Sequence, residues 1–185
     1  PGHVASLSLF EPVLFRLLLD YPDCGEAGEE IVRVAGEIRA SLSAGNSLEA
    51  SRSFYDYWSG KGAWNDVAPE QRVRIAGRMP AVMGCFDALF EDDTRPADLA
   101  RLDVPVLLMS GTGSPAAALG AVQHLAAALP RVRRRVFQGV GHMGPVTHAA
   151  QVNEVIAGFL AAASHRLPCE TASISAPRPL APAFA

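Results

Sequence analysis

No stretch of the sequence approaches the roughly 18 consecutive apolar residues that a membrane-spanning helix needs, and no charged-then-apolar leader stands ahead of Val4. Lysine is nearly absent: Lys61 is the only one, and the formal net charge is −3. Such a balance gives no electrostatic reason to bind nucleic acid or an anionic membrane. The one concentration of positive charge, Arg131, Arg133, Arg134 and Arg135, reads as a solvated rim beside a strand. Cysteine is scarce. Cys24, Cys85 and Cys169 are odd in number, widely spaced and form no C-x-x-C pair, which reads as reduced thiols in a reducing compartment and favours the cytoplasm. No His/Asp/Glu group has metal-ligand spacing, and neither G-x-G-x-x-G nor a P-loop occurs. No metal or cofactor is therefore expected. Internal repeats are absent too. The expected partner is a small-molecule substrate, with the oligomeric state open.

What remains is an ordinary globular composition, 49% hydrophobic and 19% charged over 185 residues, enough for one domain with a sizeable core. Residues 4–10 alternate and then turn apolar, as a strand does, and Glu11-Pro12 stops it because proline cannot donate to a ladder. Ile31, Val34, Ala35, Ile38 and Leu42 recur at helical spacing, which predicts an amphipathic helix over roughly 26–43. Gly45-Asn46 ends it, and further helical patterns run near 47–58, 69–78 and 80–90. Strand character returns at 104–110, apolar on both faces as in a parallel sheet. Ser114 is placed to cap the next helix, with Pro115 as its first residue and Leu119, Val122, Leu125 and Leu129 on its inner face. A strand over 132–137 leads to the loop Gly139-Val-Gly-His-Met-Gly-Pro145. Thr147 is placed to cap a final helix whose core face is Val152, Val155, Ile156, Phe159 and Leu160. From about Arg166 the chain carries Pro168, Pro177, Pro179 and Pro182 with little periodicity, so 164–185 reads as a disordered tail.

Strand, helical stretch, strand, helix, strand, helix implies an α/β fold with a parallel sheet. A parallel strand as apolar as 4–10 belongs in the middle of such a sheet. Here it comes first, so the sheet reads as incomplete and the chain as beginning within a domain. An apolar strand edge without a neighbour also predicts low stability for the 185 residues alone.

Three segments carry a resemblance to a known family. Ser6-Leu-Ser-Leu-Phe-Glu-Pro12 resembles the strand after the nucleophile elbow of α/β hydrolases. Val104-Pro-Val-Leu-Leu-Met-Ser-Gly111 resembles the next core strand, and Gly139-Val-Gly-His-Met-Gly144, followed by a helix with Asn153 and Phe159-Leu160, resembles the histidine loop. The resemblance covers 1–163 and implies the C-terminal part of an α/β-hydrolase domain, with a helical cap inserted at about 12–100. Such enzymes place nucleophile, acid and histidine in that chain order, the nucleophile at G-x-S-x-G. No G-x-S-x-G occurs in this sequence. The resemblance therefore implies an elbow roughly 15–20 residues before Pro1, one helix of ordinary length away.

Within the family pattern His142 takes the place of the general base, since an imidazole accepts a proton near neutral pH and is oriented by a carboxylate. Its loop follows a parallel strand, where ligands gather in open α/β sheets, and Gly139, Gly141 and Gly144 let the backbone turn around the ring. The acid departs from the commoner pattern: past the strand at 104–110 stands Gly111-Thr112-Gly113-Ser114, with no carboxylate. Some relatives, haloalkane dehalogenases among them, use a carboxylate at the end of the preceding strand, and Glu11 stands there. Two strand spacings of about 4.8 Å leave a gap of about 10 Å for loop and side chains to close. Asp92 and Asp93 read as surface charge, and His148 as a surface residue opening the last helix. Phe54, Tyr55, Tyr57, Trp58 and Trp64 are concentrated in the helical stretch, as core of the cap or walls of an apolar pocket.

Taken together, these features imply part of a hydrolase acting on a small, mostly apolar ester or related bond, with His142 as base, Glu11 as its acid and the nucleophile upstream. The competing function is non-catalytic: a truncated or degenerate hydrolase-like protein. A flavodoxin-like or nucleotide-binding module would want a Gly-rich turn where Glu11-Pro12 stands.

Overall fold

The computed structural model of the chain describes residues 4–20 and 25–164. The expected tail falls outside them. Strand β1 (Leu7–Phe10) is followed by helices α1 (Arg16–Leu19), α2 (Gly25–Ser43), α3 (Ser47–Ser59), a 3₁₀ turn at Ala63–Asp66, α4 (Pro69–Ala76), α5 (Met79–Glu91) and α6 (Pro96–Leu99). Then come β2 (Val106–Gly111), α7 (Ala116–Ala128), β3 (Val132–Phe137), α8 (Gly144–Thr147) and α9 (Ala149–Ser164). Among the described residues, no helix is long and apolar enough to cross a membrane.

The sheet runs β1-β2-β3, all parallel, with Leu7 opposite Val106, and Val106 opposite Val132. The middle strand β2 is buried along its whole length, which explains its unbroken apolar run. Alternation along the strands sends side chains to two faces. Leu7, Leu9, Val106 and Leu108 meet Leu17 of α1, Leu99 of α6 and Val122, Leu125 and Leu129 around α7. Phe10, Leu107, Met109 and Phe137 meet Val152, Val155, Ile156 and Phe159 of α9. The sheet is thus covered on both sides by helices. A third core lies within the helical insert, where Ile31, Val34, Ala35 and Ile38 of α2 pack with Trp58, Met79, Met83 and Phe86 around Phe15.

The three strands start and stop close to expectation, although β1 is shorter than 4–10. Among the described residues β1 pairs with β2 alone, and its four residues are only half-buried. The predicted caps differ. Ser114 makes no cap hydrogen bond for α7, whose N-cap is Pro115; its hydroxyl is used elsewhere. Thr147 closes the short helix α8 rather than opening α9, its hydroxyl donating to the Met143 carbonyl at 3.2 Å. The reason is that α8 and α9 are separate helices, so residue 147 has the helical backbone of α8 rather than the extended one of an N-cap. Leu160 lies on the outer side of α9, 47% exposed, because the stripe over the sheet is narrow and closes at Val152 and Phe159.

Helices α2, α3 and α7 share a polar tie. Tyr57 on α3 donates its hydroxyl to Glu30 of α2 at 2.7 Å, and the same Glu30 oxygen accepts the Ala117 backbone N–H of the first turn of α7 at 3.2 Å. A carboxylate there complements the positive end of the helix. Burial, reinforced by the bond to Glu30, pushes the Tyr57 phenol well above its ordinary value.

Two outcomes follow from the packing. Leu108→Ala removes a side chain from the fully buried β2 and is expected to lower the urea unfolding free energy by about 2–5 kcal/mol. In the folded chain Tyr57 keeps its proton to higher pH than in the unfolded chain, so its contribution is complete below about pH 10, the ordinary tyrosine value, and declines above it. Urea titrations at rising alkaline pH should therefore show a steeper stability loss in the native sequence than in Tyr57→Phe.

Candidate functional site

The three strand ends converge on one buried carboxylate. Glu11 follows β1 directly and is 1% exposed. Its backbone is left-handed, with φ +42°, an uncommon conformation for a residue with a side chain, costing about 1–3 kcal/mol. Nothing in the sequence foretold it. The Glu11 N–H still donates to the Met109 carbonyl at 3.0 Å, so the chain leaves the ladder only after Glu11 is fixed. The turn directs the carboxylate over the end of β2 instead of along the outer edge.

Oε1 of Glu11 accepts the Gly111 backbone N–H at 2.7 Å and the Ser114 hydroxyl at 2.6 Å. Oε2 accepts Nδ1 of His142 at 2.8 Å. Three donors thus satisfy a group whose burial would otherwise be costly. With Nδ1–H committed to Glu11, the neutral imidazole carries its lone pair on Nε2. The Glu11 side chain is fully buried, whereas that of His142 remains 20% exposed. One end of the pair is dry and held, the other reachable.

The loop after β3 is brought to this position by close backbone contact. Thr112 N–H donates to the Phe137 carbonyl and Gly113 N–H to the Val140 carbonyl, both at 2.9 Å. The Gly139 N–H in turn donates to the Thr112 hydroxyl at 2.9 Å. Approach is so close at Gly111 that a Cβ would collide with the Val140 carbonyl oxygen. Gly144 is required for a similar reason: a Cβ there would lie 2.6 Å from the Val140 side chain and 2.7 Å from the Phe10 ring. Of the glycines expected to bend this loop, Gly139 has a positive φ, +70°, and Gly144 serves close packing.

Trp58 of α3 covers the other side of the imidazole. The two rings lie 4.2 Å apart, tilted by 39°. Next to them is a cavity of about 400 Å³ lined by Phe15, Phe54, Trp58, Val82, Phe86 and His142, among others. The aromatics of the insert therefore divide: Trp64 is buried away from this cavity beneath Tyr55 and Arg72, while Phe54, Tyr55 and Trp58 line it.

The structure brings Glu11 and His142 together across two strand spacings. Asp92 is engaged elsewhere: it accepts the Thr94 N–H at 2.9 Å, and hydrogen bonds from the Thr94 hydroxyl and backbone hold its carboxyl below the usual range. His148 contacts Thr147 at 2.8 Å on the exposed surface. Arg133, Arg134 and Arg135 are exposed along β3. No group of three or more His, Cys, Asp or Glu among the described residues is arranged to hold a metal ion. Two contributors escaped the sequence reading, Ser114 as a donor to Glu11 and Trp58 as the partner of the imidazole. A serine after a strand looks the same as a helix cap, and no periodicity marks a ring contact between distant segments.

No family model matches the chain. Among solved structures it is similar to a hydrolase from Oleispira antarctica, with 15% identity over 85% of this chain and 56% of that one, TM-score 0.60. An esterase from Rhodococcus sp. ECU1013 shares 23% identity over 86% of this chain and 57% of its own, TM-score 0.57. A thermophilic esterase from Thermogutta terrifontis shares 19% over 86% and 56%, TM-score 0.55. The chain therefore has the α/β-hydrolase fold, and it spans a little over half the length of these structures.

The close approach at Gly111 has a measurable consequence. Gly111→Ala is expected to push the histidine loop away from β2 and to lower stability by about 1–3 kcal/mol, as overpacking does. A urea midpoint equal to that of the native sequence would contradict the contact.

Proposed function

We propose that this chain is the C-terminal part of a hydrolase domain that cleaves a small, mostly apolar ester or a related bond, with the helical insert acting as its cap. The observation that carries the reading is the Nδ1-to-carboxylate bond of 2.8 Å between His142 and a buried Glu11. A histidine held this way takes up a proton on Nε2 and is stabilised as imidazolium by the carboxylate. The sequence has no G-x-S-x-G, so the nucleophile belongs to a longer polypeptide that contains this chain.

In that reading a serine hydroxyl attacks the ester carbonyl while Nε2 of His142 removes its proton. Glu11 holds the ring and offsets its positive charge without taking the proton. Collapse of the tetrahedral intermediate expels the alcohol, which receives the proton from His142, and leaves an acyl-enzyme. Water then repeats the sequence and releases the acid. Similarity in fold to two esterases supports this direction without supplying a substrate. The absent elbow motif favours a second reading, a hydrolase-like protein without catalysis.

The test uses the product of the whole reading frame with p-nitrophenyl esters as substrates. His142→Ala is expected to lower kcat by about a thousandfold or more. Retained activity in that variant would overturn the role of His142. A reading frame without an elbow nucleophile, giving a product without esterase activity, would establish the non-catalytic alternative.

A further inference from the structure

Two spaces meet at Trp58. One is a polar cleft of about 1000 Å³ whose walls include Glu30, Arg33, Glu37, Asp56 and Lys61. The other is the cavity of about 400 Å³ against His142, and among the described residues no Asp, Glu, Lys or Arg lines it. Its polar groups are confined to Tyr55, Ser59, Cys85 and His142.

Phe15, Phe54, Tyr55, Trp58 and Phe86 gather around the smaller cavity in a chain that is only 7% aromatic. Phe15 stacks against Trp58 and Phe86 at ring separations of 6.2 and 6.4 Å, with interplanar angles of 17° and 14°. Phe54 meets Trp58 and Phe86 edge-on, at 65° and 90°. The walls therefore offer both ring faces and ring edges, the two arrangements that aromatic pairs prefer. Val13, Val82 and Leu89 complete the apolar surface. At about 30 Å³ for each water-sized group, the volume admits roughly a dozen non-hydrogen atoms. Away from the His142 ring, a charged ligand would lose its hydration there with no opposite charge among the described residues to meet it.

We propose that this cavity binds the uncharged aryl group of a small ester, placing the bond to be cleaved beside His142. The proposal rests on the functional reading above and adds to it the class of substrate. Trp58 is both a wall of the cavity and the ring packed on His142, so occupation of one alters the surroundings of the other.

The test measures binding and needs no nucleophile. Acetophenone and benzoate share a ring and differ in charge. Each is titrated into the product of the whole reading frame and followed by NMR at the Trp58 indole and the Val82 and Leu89 methyls. Acetophenone is expected to shift these signals saturably, with benzoate binding at least about tenfold more weakly because its carboxylate would be buried unpaired. Val82→Trp fills the cavity and should abolish the acetophenone shifts. If that variant does not fold, alkylation of Cys85 gives a second readout: acetophenone should slow it in the native sequence. Equal binding of the two compounds, shifts confined to other residues, or an unchanged Cys85 rate would overturn the proposal. Aryl binding alongside an active His142→Ala enzyme would sink the base assignment alone, and aliphatic ester hydrolysis without aryl binding would sink this inference alone.

Discussion

The C-terminal ends of the three strands are tied together by the carboxylate of Glu11. A buried acid with no partner would be among the most destabilising groups a small domain can hold. Here Gly111 N–H, the Ser114 hydroxyl and His142 Nδ1 all point at it, one from the end of β2, one from the following turn and one from the loop after β3. Satisfying Glu11 therefore fixes where that turn and that loop lie relative to each other. The left-handed backbone at Glu11 is the local cost of aiming it across β2, and the bonds it makes offset that cost.

The rest of the site is arranged around this constraint. Glycine at 111 and 144 permits the β3 loop to approach β2 and Phe10, which brings His142 within reach of Glu11. The helical insert then supplies Trp58 against the open side of the ring and the aromatic walls beyond it. An imidazole held by a carboxylate on one side and an indole on the other has a single orientation, with one nitrogen left for chemistry.

Much of this was legible in the sequence, for physical reasons. The apolar run at 106–109 marks a strand buried from both faces, and the spacing of Ile31, Val34, Ala35 and Ile38 marks the buried stripe of α2. Glu11 and His142 were candidates through the resemblance to α/β hydrolases, some of which carry the acid after the earlier strand, and for His142 the position after a parallel strand added to that. What was not legible depends on tertiary contact. Ser114 reads as a helix cap, yet a buried carboxylate nearby is a stronger acceptor for its hydroxyl than backbone amides are donors to it. Thr147 reads as a cap because the sequence does not reveal that α8 stops before α9 begins. Leu160 fits the helical stripe but lies beyond the surface that the three-stranded sheet covers.

The pairing of His142 with Glu11 is tested most directly by the His142 ring proton itself. Long-range ¹H–¹⁵N spectra of the 185-residue chain, labelled at histidine, report which ring nitrogen carries hydrogen in the neutral form. The account predicts a proton on Nδ1, shifted well downfield of the backbone amides by its short bond to the carboxylate and lost in Glu11→Ala. A neutral ring protonated on Nε2, or a spectrum unchanged by that substitution, would contradict it.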